Sequence, residues 1–237
     1  MHRKSIFAAL ALLVLTGSVF ALAPELDLAA ARLFMTEGAY IGVTPLGEAL
    51  RLVGYQLPFW VLGLAAVGWL LRRLGVAGGW TPSGRAVLFL VLTMALGPGL
   101  LVNVVLKDHS HRPRPVQTEE LGGNWAFRPW YRFDGQCGRN CSFVSGEASS
   151  AFWTLAPALL APPPVRPLAV GAALVFGTGV AALRMAFGGH YLSDSLISGL
   201  LTILLVLGLH RTFFGRVKPA PSLPERDPGL RRPGAPL

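Results

Sequence analysis

The sequence has little charge. Charged residues make up 14% of its 237 residues and hydrophobic residues 52%, whereas about 25% of a typical soluble domain is charged. It also lacks a basic stripe with interleaved aromatic residues, so its formal net charge of +9 does not indicate nucleic-acid binding. No internal repeat is present. These absences exclude an ordinary soluble domain and favour a single compact domain in a membrane.

Long apolar runs are what the sequence has instead. Each is near the length that crosses a bilayer as a helix. They cover about residues 5–23, 55–71, 86–106, 148–161, 168–187 and 191–209. We therefore predict an all-α polytopic membrane protein, a six-transmembrane helix bundle in a domain of residues 1–209. The Pro- and Arg-rich residues 210–237 are predicted to be a disordered tail.

The segments between the runs are more polar. Residues 24–53 are predicted to be an external segment with short interfacial helices, and residues 72–85 a loop. The first run could also be a cleaved signal peptide, since Ala21-Leu-Ala23 has the small-x-small pattern. Pro24 would follow the cut, so an uncleaved first helix is favoured.

An even number of spans places both termini on one side of the membrane. Most Lys and Arg outside three polar clusters then fall on the same side as the termini, including Arg72, Arg73 and the tail. Positive loops face the cytoplasm, so we predict an inner-membrane protein with cytoplasmic termini. The clusters then lie together at the periplasmic ends of spans three, four and six, with residues 107–147 as the active-site loop.

The clusters carry groups that suit an oxyanion. Lys107 and Arg114 close the third span, and Arg184 precedes the sixth; an ammonium and planar guanidinium forks are donors for phosphate. A single such residue is more often an interfacial anchor that reaches the headgroups. Ser145-Gly146 begins the fourth span, where free N–H groups attract an anion. Ser145 and Glu147 also fit an ordinary helix start.

His190 and Asp194 are four residues apart and share a helical face. The carboxylate is expected to hold one ring nitrogen and to leave the other free as a nucleophile. A purely structural His–Asp pair is the alternative.

Two further pairs of residues in this loop are candidates for a metal site and for a disulfide. His109 and His111 form a His-x-His pattern, but no carboxylate–His array of clear ligand spacing accompanies it, so we predict no metal. Cys137 and Cys141 lie in the long loop before Ser145. In an oxidising periplasm they are expected to pair as a disulfide, with two free thiols as the alternative.

In order and spacing the clusters resemble those of the type 2 phosphatidic acid phosphatase superfamily. Its pattern is Lys-x6-Arg-Pro, then Pro-Ser-Gly-His, then Ser-Arg-x5-His-x3-Asp. The first motif is complete from Lys107 to Arg114-Pro115, and the third keeps Arg184, His190 and Asp194. Leu183 replaces the Ser of the third motif, and the second reads Val144-Ser145-Gly146-Glu147. The likeness covers about residues 86–209.

The resemblance implies a membrane lipid phosphatase that needs no cofactor. His190 would attack phosphorus and form a phosphohistidine, with Asp194 orienting the ring. The phosphate oxygens would be held by five residues: Lys107, Arg114, Ser145, Gly146 and Arg184. The family's second-motif His is the general acid for the leaving alcohol, and Glu147 stands in its place.

The substrate implied is an anionic phospholipid or isoprenoid phosphate. Phosphatidic acid, phosphatidylglycerol phosphate, undecaprenyl (pyro)phosphate and lipid A all fit. One alternative is a lipid phosphotransferase. Another is a non-catalytic lipid-binding protein that lost turnover with the His. A haloperoxidase is disfavoured because the helices are membrane spans.

Overall fold

The computed structural model describes residues 2–76 and 81–215. Its helices and strands follow in chain order: α1 (His2–Leu22), α2 (Glu25–Arg32), β1 (Met35–Thr36), β2 (Ala39–Tyr40), α3 (Pro45–Arg73), α4 (Gly84–Met94), a π-helix (Ala95–Lys107), two 3₁₀ turns (Pro115–Gln117 and Glu119–Leu121), α5 (Gly146–Phe152), α6 (Leu155–Leu160), α7 (Arg166–Ala186) and α8 (Leu192–Phe214). The two strands form a small antiparallel hairpin.

Long apolar helices dominate the chain. Five helical stretches in the described residues are long and apolar enough to cross a membrane: Arg3–Leu22, Pro45–Arg73, Gly84–Lys107, Arg166–Ala186 and Leu192–Phe214. The prediction of an all-α polytopic membrane fold is confirmed. The predicted number of six spans is not confirmed.

The fourth predicted span forms two short helices instead of one long one. α5 has seven residues and α6 has six, and they meet at Trp153-Thr154. Pro157 has no N–H and its ring crowds the carbonyl four residues earlier, which breaks a continuous helix at this point. The Thr154 hydroxyl donates to the Ala151 carbonyl at 2.7 Å and closes the end of α5.

The third span changes helix type halfway along. α4 gives way to a π-helix that contains Pro98. π-Helical turns are rare and often occur at functional sites. The Asn103 side chain donates to the Pro98 carbonyl at 2.7 Å. The π-helix ends at Lys107, the first of the predicted phosphate ligands.

Some predicted boundaries need correction. α3 begins at Pro45, ten residues before the predicted start at 55. The Thr44 hydroxyl caps it by accepting from the Gly47 N–H, and Pro45 suits the first helical position. α8 continues to Phe214, so residues 210–214 are helical and not part of a tail. Residues 77–80 of the predicted loop and 216–237 of the predicted tail lie outside the described residues.

The helices pack around one main apolar cluster. Phe89 of α4, Trp153 between α5 and α6, and Val206 of α8 are fully buried in it. The Trp153 indole donates to Thr93 at 2.9 Å, which satisfies its N–H inside the core. Large apolar side chains such as Phe7 and Val175 are exposed on the outside of the bundle. A membrane would cover this apolar surface.

Candidate active site

The long loop between the π-helix and α5 is fastened to itself by a disulfide. Cys137 and Cys141 are bonded, with their Cα atoms 5.7 Å apart. The Cys137 N–H donates to the His111 carbonyl at 3.2 Å, and the Cys137 carbonyl accepts from His111 Nδ1 at 2.9 Å. The Cys141 N–H donates to the Lys107 carbonyl. These hydrogen bonds hold the end of the loop against its start, and the disulfide closes the short turn that makes them.

Three basic side chains converge beside this loop. The positive charges of Arg184, Lys107 and Arg114 all act on His190. In the described residues, the Arg114 guanidinium group donates only to the Asn140 carbonyl, at 2.9 Å. Burial lowers the pKa of Arg114 from its ordinary value, although Glu147 opposes the shift. The buried Arg184 Nε has no hydrogen-bond partner within the described part of the chain. Free donors on convergent cations suit an anionic ligand.

His190 is buried, with 2% of its surface exposed. Its Nδ1 lies 2.7 Å from the Ser142 carbonyl. A carbonyl can only accept, so Nδ1 carries the proton and Nε2 keeps its lone pair. Burial lowers the pKa of His190 well below its usual range, and the charges of Arg184 and Lys107 lower it further. The ring is therefore neutral, as a nucleophile must be.

Asp194 does not hold His190 directly, contrary to the expectation from their spacing. Its Oδ2 lies 3.9 Å from His190 Nδ1. This oxygen accepts instead from the Ser142 hydroxyl and from the Tyr191 N–H, which Asp194 caps from within the first turn of α8. Ser142 thus links the two residues, because its hydroxyl contacts Asp194 and its carbonyl contacts His190.

Arg112 is a structural residue of the site that sequence reasoning missed. It is fully buried and donates to Asp194 and to Asp27 of α2, the latter at 2.7 Å. Asp27 also accepts from the N–H and hydroxyl of Ser193. Arg112 is visible in the sequence as part of Arg112-Pro-Arg114-Pro, but the sequence does not show that Arg112 pairs with carboxylates whereas Arg114, within the described residues, does not. The distant Asp27 gave no signal.

Glu147 is paired with two arginines. Its Oε1 accepts from Arg51 Nη2 at 3.0 Å, and it lies 3.4 Å from Arg184 Nε. Arg51 belongs to α3 and was predicted only as part of an external segment. The signal that could have identified it is a charged residue inside a helix long enough to span the membrane.

Ser145 and Gly146 occupy the start of α5, as predicted. The Ser145 hydroxyl accepts from the Ala148 N–H at 3.3 Å, so it caps the helix, and its carbonyl accepts from Ser198 at 2.6 Å. Gly146 allows a close approach: a Cβ atom there would lie 2.6 Å from Asn103 Oδ1. The Asn103 side chain cannot move away easily, because it donates a hydrogen bond to the Pro98 carbonyl of the same helix.

The histidine pair next to Lys107 does not form a shared centre. His109 Nδ1 lies 3.0 Å from the Val105 carbonyl, whereas His111 contacts Cys137. Among the described residues, no group of three or more His, Cys, Asp or Glu side chains could hold a metal ion.

A buried His lies beside convergent cations at one end of a bundle of apolar helices, which is the arrangement of a membrane protein with a cationic histidine site. The family comparison agrees with this class. The model of the PAP2 superfamily matches residues 86–218, so the chain belongs to the PAP2 superfamily. The matched region contains all three motifs.

Three relatives of the chain share the name lipid A 4′-phosphatase. It is 44% identical over 117 residues to the lipid A 4′-phosphatase of Francisella tularensis subsp. novicida, covering 49% of this chain and 53% of the relative. It is 37% identical over 164 residues to the lipid A 4′-phosphatase of Rhizobium leguminosarum, covering 68% and 70%. A third, from Rhizobium etli, is 42% identical over 116 residues and is covered to 45% of its length. The matches thus span from about half to about two thirds of these relatives. No solved structure matches the chain.

Proposed function

We propose that the chain is a membrane lipid phosphatase that removes the 4′-phosphate of lipid A, a phosphorylated glycolipid. The convergence of Lys107, Arg114 and Arg184 on the buried His190 is the observation that carries this proposal. The relatives named lipid A 4′-phosphatase support the choice of substrate within the lipid phosphates.

In the first step, Nε2 of His190 attacks phosphorus and the bond between phosphorus and the ester oxygen breaks. The phosphoryl group is then carried on His190 as a phosphohistidine, and water attacks it to release inorganic phosphate. The Nδ1–H bond to the Ser142 carbonyl keeps the ring in the tautomer that this attack requires. Asp194 acts as a positioning residue, because it holds Ser142.

The phosphate oxygens take their partners from the basic cluster. Arg184 has a buried Nε that makes no hydrogen bond within the described residues, although it lies 3.4 Å from Glu147 Oε1. Lys107 is the second proposed donor, and its charge acts on His190. The Gly146 N–H at the start of α5 is a further predicted donor, and Ser145 caps the same turn. Fixed donors of this kind stabilise the charge that develops during phosphoryl transfer, so we expect no metal requirement.

Glu147 is the proposed proton donor for the leaving alcohol. Its carboxyl group is paired with Arg51 and Arg184. Substrate phosphate that binds Arg184 competes for this pairing and places a second negative charge beside Glu147. Release from Arg184 lets the Glu147 carboxyl group reach the ester oxygen, where it is proposed to act as the general acid.

The site is proposed to face the periplasm. The supporting observation is the distribution of Lys and Arg, with Arg72 and Arg73 at the end of α3 opposite to Arg51. Arg51, near the start of α3, contacts the active-site residue Glu147. The active site and the basic pair therefore lie at opposite ends of this helix. The rule that positive segments stay in the cytoplasm supports an active site on the periplasmic side.

Phosphate release by the purified protein tests the function. We expect the detergent-solubilised chain to release inorganic phosphate from lipid A in the presence of EDTA, and the His190→Ala variant to release none. If the wild type binds lipid A without releasing phosphate, the chain is a lipid-binding protein. If the phosphoryl group appears on another lipid or sugar, it is a phosphotransferase.

A further inference from the structure

A small pocket adjoins the phosphate site on the α3 side. It has a volume of about 280 Å³ and is lined by Glu48, Arg51, Leu52, Tyr55 and Glu147. Four of the five lining residues carry a polar or charged group. Pockets for drug-sized ligands measure roughly 300–1,000 Å³, so this one suits a single ring-sized group and is too small for a lipid with its acyl chains.

The first three turns of α3 build the pocket wall. The spacing of residues 48, 51, 52 and 55 places all four on one face of the helix. Arg51 Nη1 lies 3.9 Å from Glu48 Oε2, and its Nη2 lies 3.0 Å from Glu147 Oε1. One guanidinium group therefore joins the carboxylate of the pocket to the carboxylate at the phosphate site.

Glu147 connects the pocket with the reacting group. It lines the pocket and also lies 3.4 Å from Arg184 Nε, which the proposed mechanism assigns to the phosphate. As the proposed proton donor it must reach the ester oxygen of the leaving group. The part of the substrate directly beyond that oxygen therefore falls in the pocket that Glu147 lines.

The lining identifies the chemistry of the leaving group. Carboxylates accept hydrogen bonds from hydroxyl groups, and a guanidinium and a phenol donate to them. A sugar ring carries several such groups around its edge, whereas the glycerol diester of a phospholipid has no free hydroxyl. We propose that Glu48, Arg51 and Tyr55 form a sugar subsite for the leaving group of a phosphoglycolipid. Glu48 and Tyr55 determine specificity, and Arg51 positions Glu147. This inference rests on the proposed function.

The test compares one substrate that has a sugar with one that lacks it. Lipid A and p-nitrophenyl phosphate share the phosphate monoester, but only lipid A fills the subsite. We expect Glu48→Gln and Tyr55→Phe each to lower kcat/KM for lipid A by about 10-fold, the loss of roughly one hydrogen bond. Their kcat/KM for p-nitrophenyl phosphate should change by less than about 2-fold. Retained turnover of the aryl phosphate also shows that the variants fold.

A matched carboxylate outside the pocket provides the control. Glu120 is exposed in the long loop and does not line the pocket, so Glu120→Gln should leave both substrates unaffected. Unchanged activity of the pocket variants on lipid A, or equal losses on both substrates, would overturn the sugar subsite and leave the proposed function standing. A wild type that hydrolyses the aryl phosphate but not lipid A would overturn the proposed function together with the subsite.

Discussion

The environment of His190 favours the neutral form of its ring. Burial and the charges of Arg184 and Lys107 lower its pKa below the ordinary value of 6.5. A lowered pKa preserves the nucleophilic neutral form as the pH falls, so protonation of His190 should not reduce activity until the pH is well below 6.5. We expect the acid limb of kcat/KM, which reports the free enzyme, to lie below that value.

An aryl phosphate whose own ionisation is measured separately suits this pH profile. The Arg114→Gln variant is the matched comparison, because it removes one of the positive charges that act on His190. Its acid limb should move to higher pH than that of the wild type. A wild-type limb at or above 6.5, unaltered in Arg114→Gln, would show that the site does not hold His190 neutral in this way.

Glu147 should matter most for poor leaving groups. Replacing it by Gln removes the proton donor, so we expect Glu147→Gln to lower the rate on alkyl phosphates such as lipid A by roughly 10²–10⁴. An aryl phosphate needs little protonation of its leaving group, so its rate should fall much less. Phosphate release from both substrates by the same preparations measures the difference. If Glu147→Gln keeps the wild-type rate on alkyl phosphates, Glu147 is an ion-pair partner of Arg51 and not the proton donor.

Sequence reasoning selected the residues with chemical roles better than the residues that hold them. The convergence of Lys107, Arg114, Arg184 and His190 was predictable, because their spacing follows a known motif and the apolar runs end at the same side. The link through Ser142 was not, since backbone carbonyls leave no mark in a sequence. Neither was the pairing of Asp27 with Arg112, which are 85 residues apart.

At the scale of elements, α2 is held to α8 by buried charge. Asp27 is 1% exposed and accepts from Arg112 and Ser193. Asp27→Asn leaves Arg112 with Asp194 as its one carboxylate partner in the described residues, and breaking a buried ion pair costs about 3–5 kcal/mol. We expect the melting temperature in detergent to fall by roughly 10 °C.

An exposed carboxylate on the same helix gives the comparison for Asp27. Glu25→Gln removes a charge from the first turn of α2 where no buried partner depends on it. Its effect on the free energy of unfolding should stay within about 0.5 kcal/mol. If Asp27→Asn melts at the same temperature as Glu25→Gln, the buried network does not stabilise the fold.

Element type followed from the apolar runs, but helix continuity did not. Hydropathy alone did not separate a spanning helix from the broken pair α5 and α6, because the small residues of α5 lead directly into the apolar α6. Pro157 marked the break in the sequence, yet proline is tolerated in other helices here, as at Pro58 of α3. Packing decides the difference: Trp153 at the junction is fully buried among α4, α6 and α8 residues.

For the whole molecule, membrane orientation is the feature on which access to substrate depends. We expect reporter fusions after Arg73 and after Lys218 to report the cytoplasm, and a fusion at Asn124 to report the periplasm. The physical reason is the positive charge near the first two positions. A cytoplasmic signal at Asn124 would place the active site on the inner face and contradict the proposed orientation.

Trapping of the phosphorylated protein tests the central claim most directly. Purified chain is mixed with lipid A labelled at the 4′-phosphate, quenched in alkali, digested and analysed by mass spectrometry. Phosphohistidine survives alkali and is lost in acid, which separates it from phosphoserine and from acyl phosphates. We predict label on the peptide that contains His190, and none in His190→Ala. Label on a different residue, or wild-type phosphate release by His190→Ala, would contradict the account.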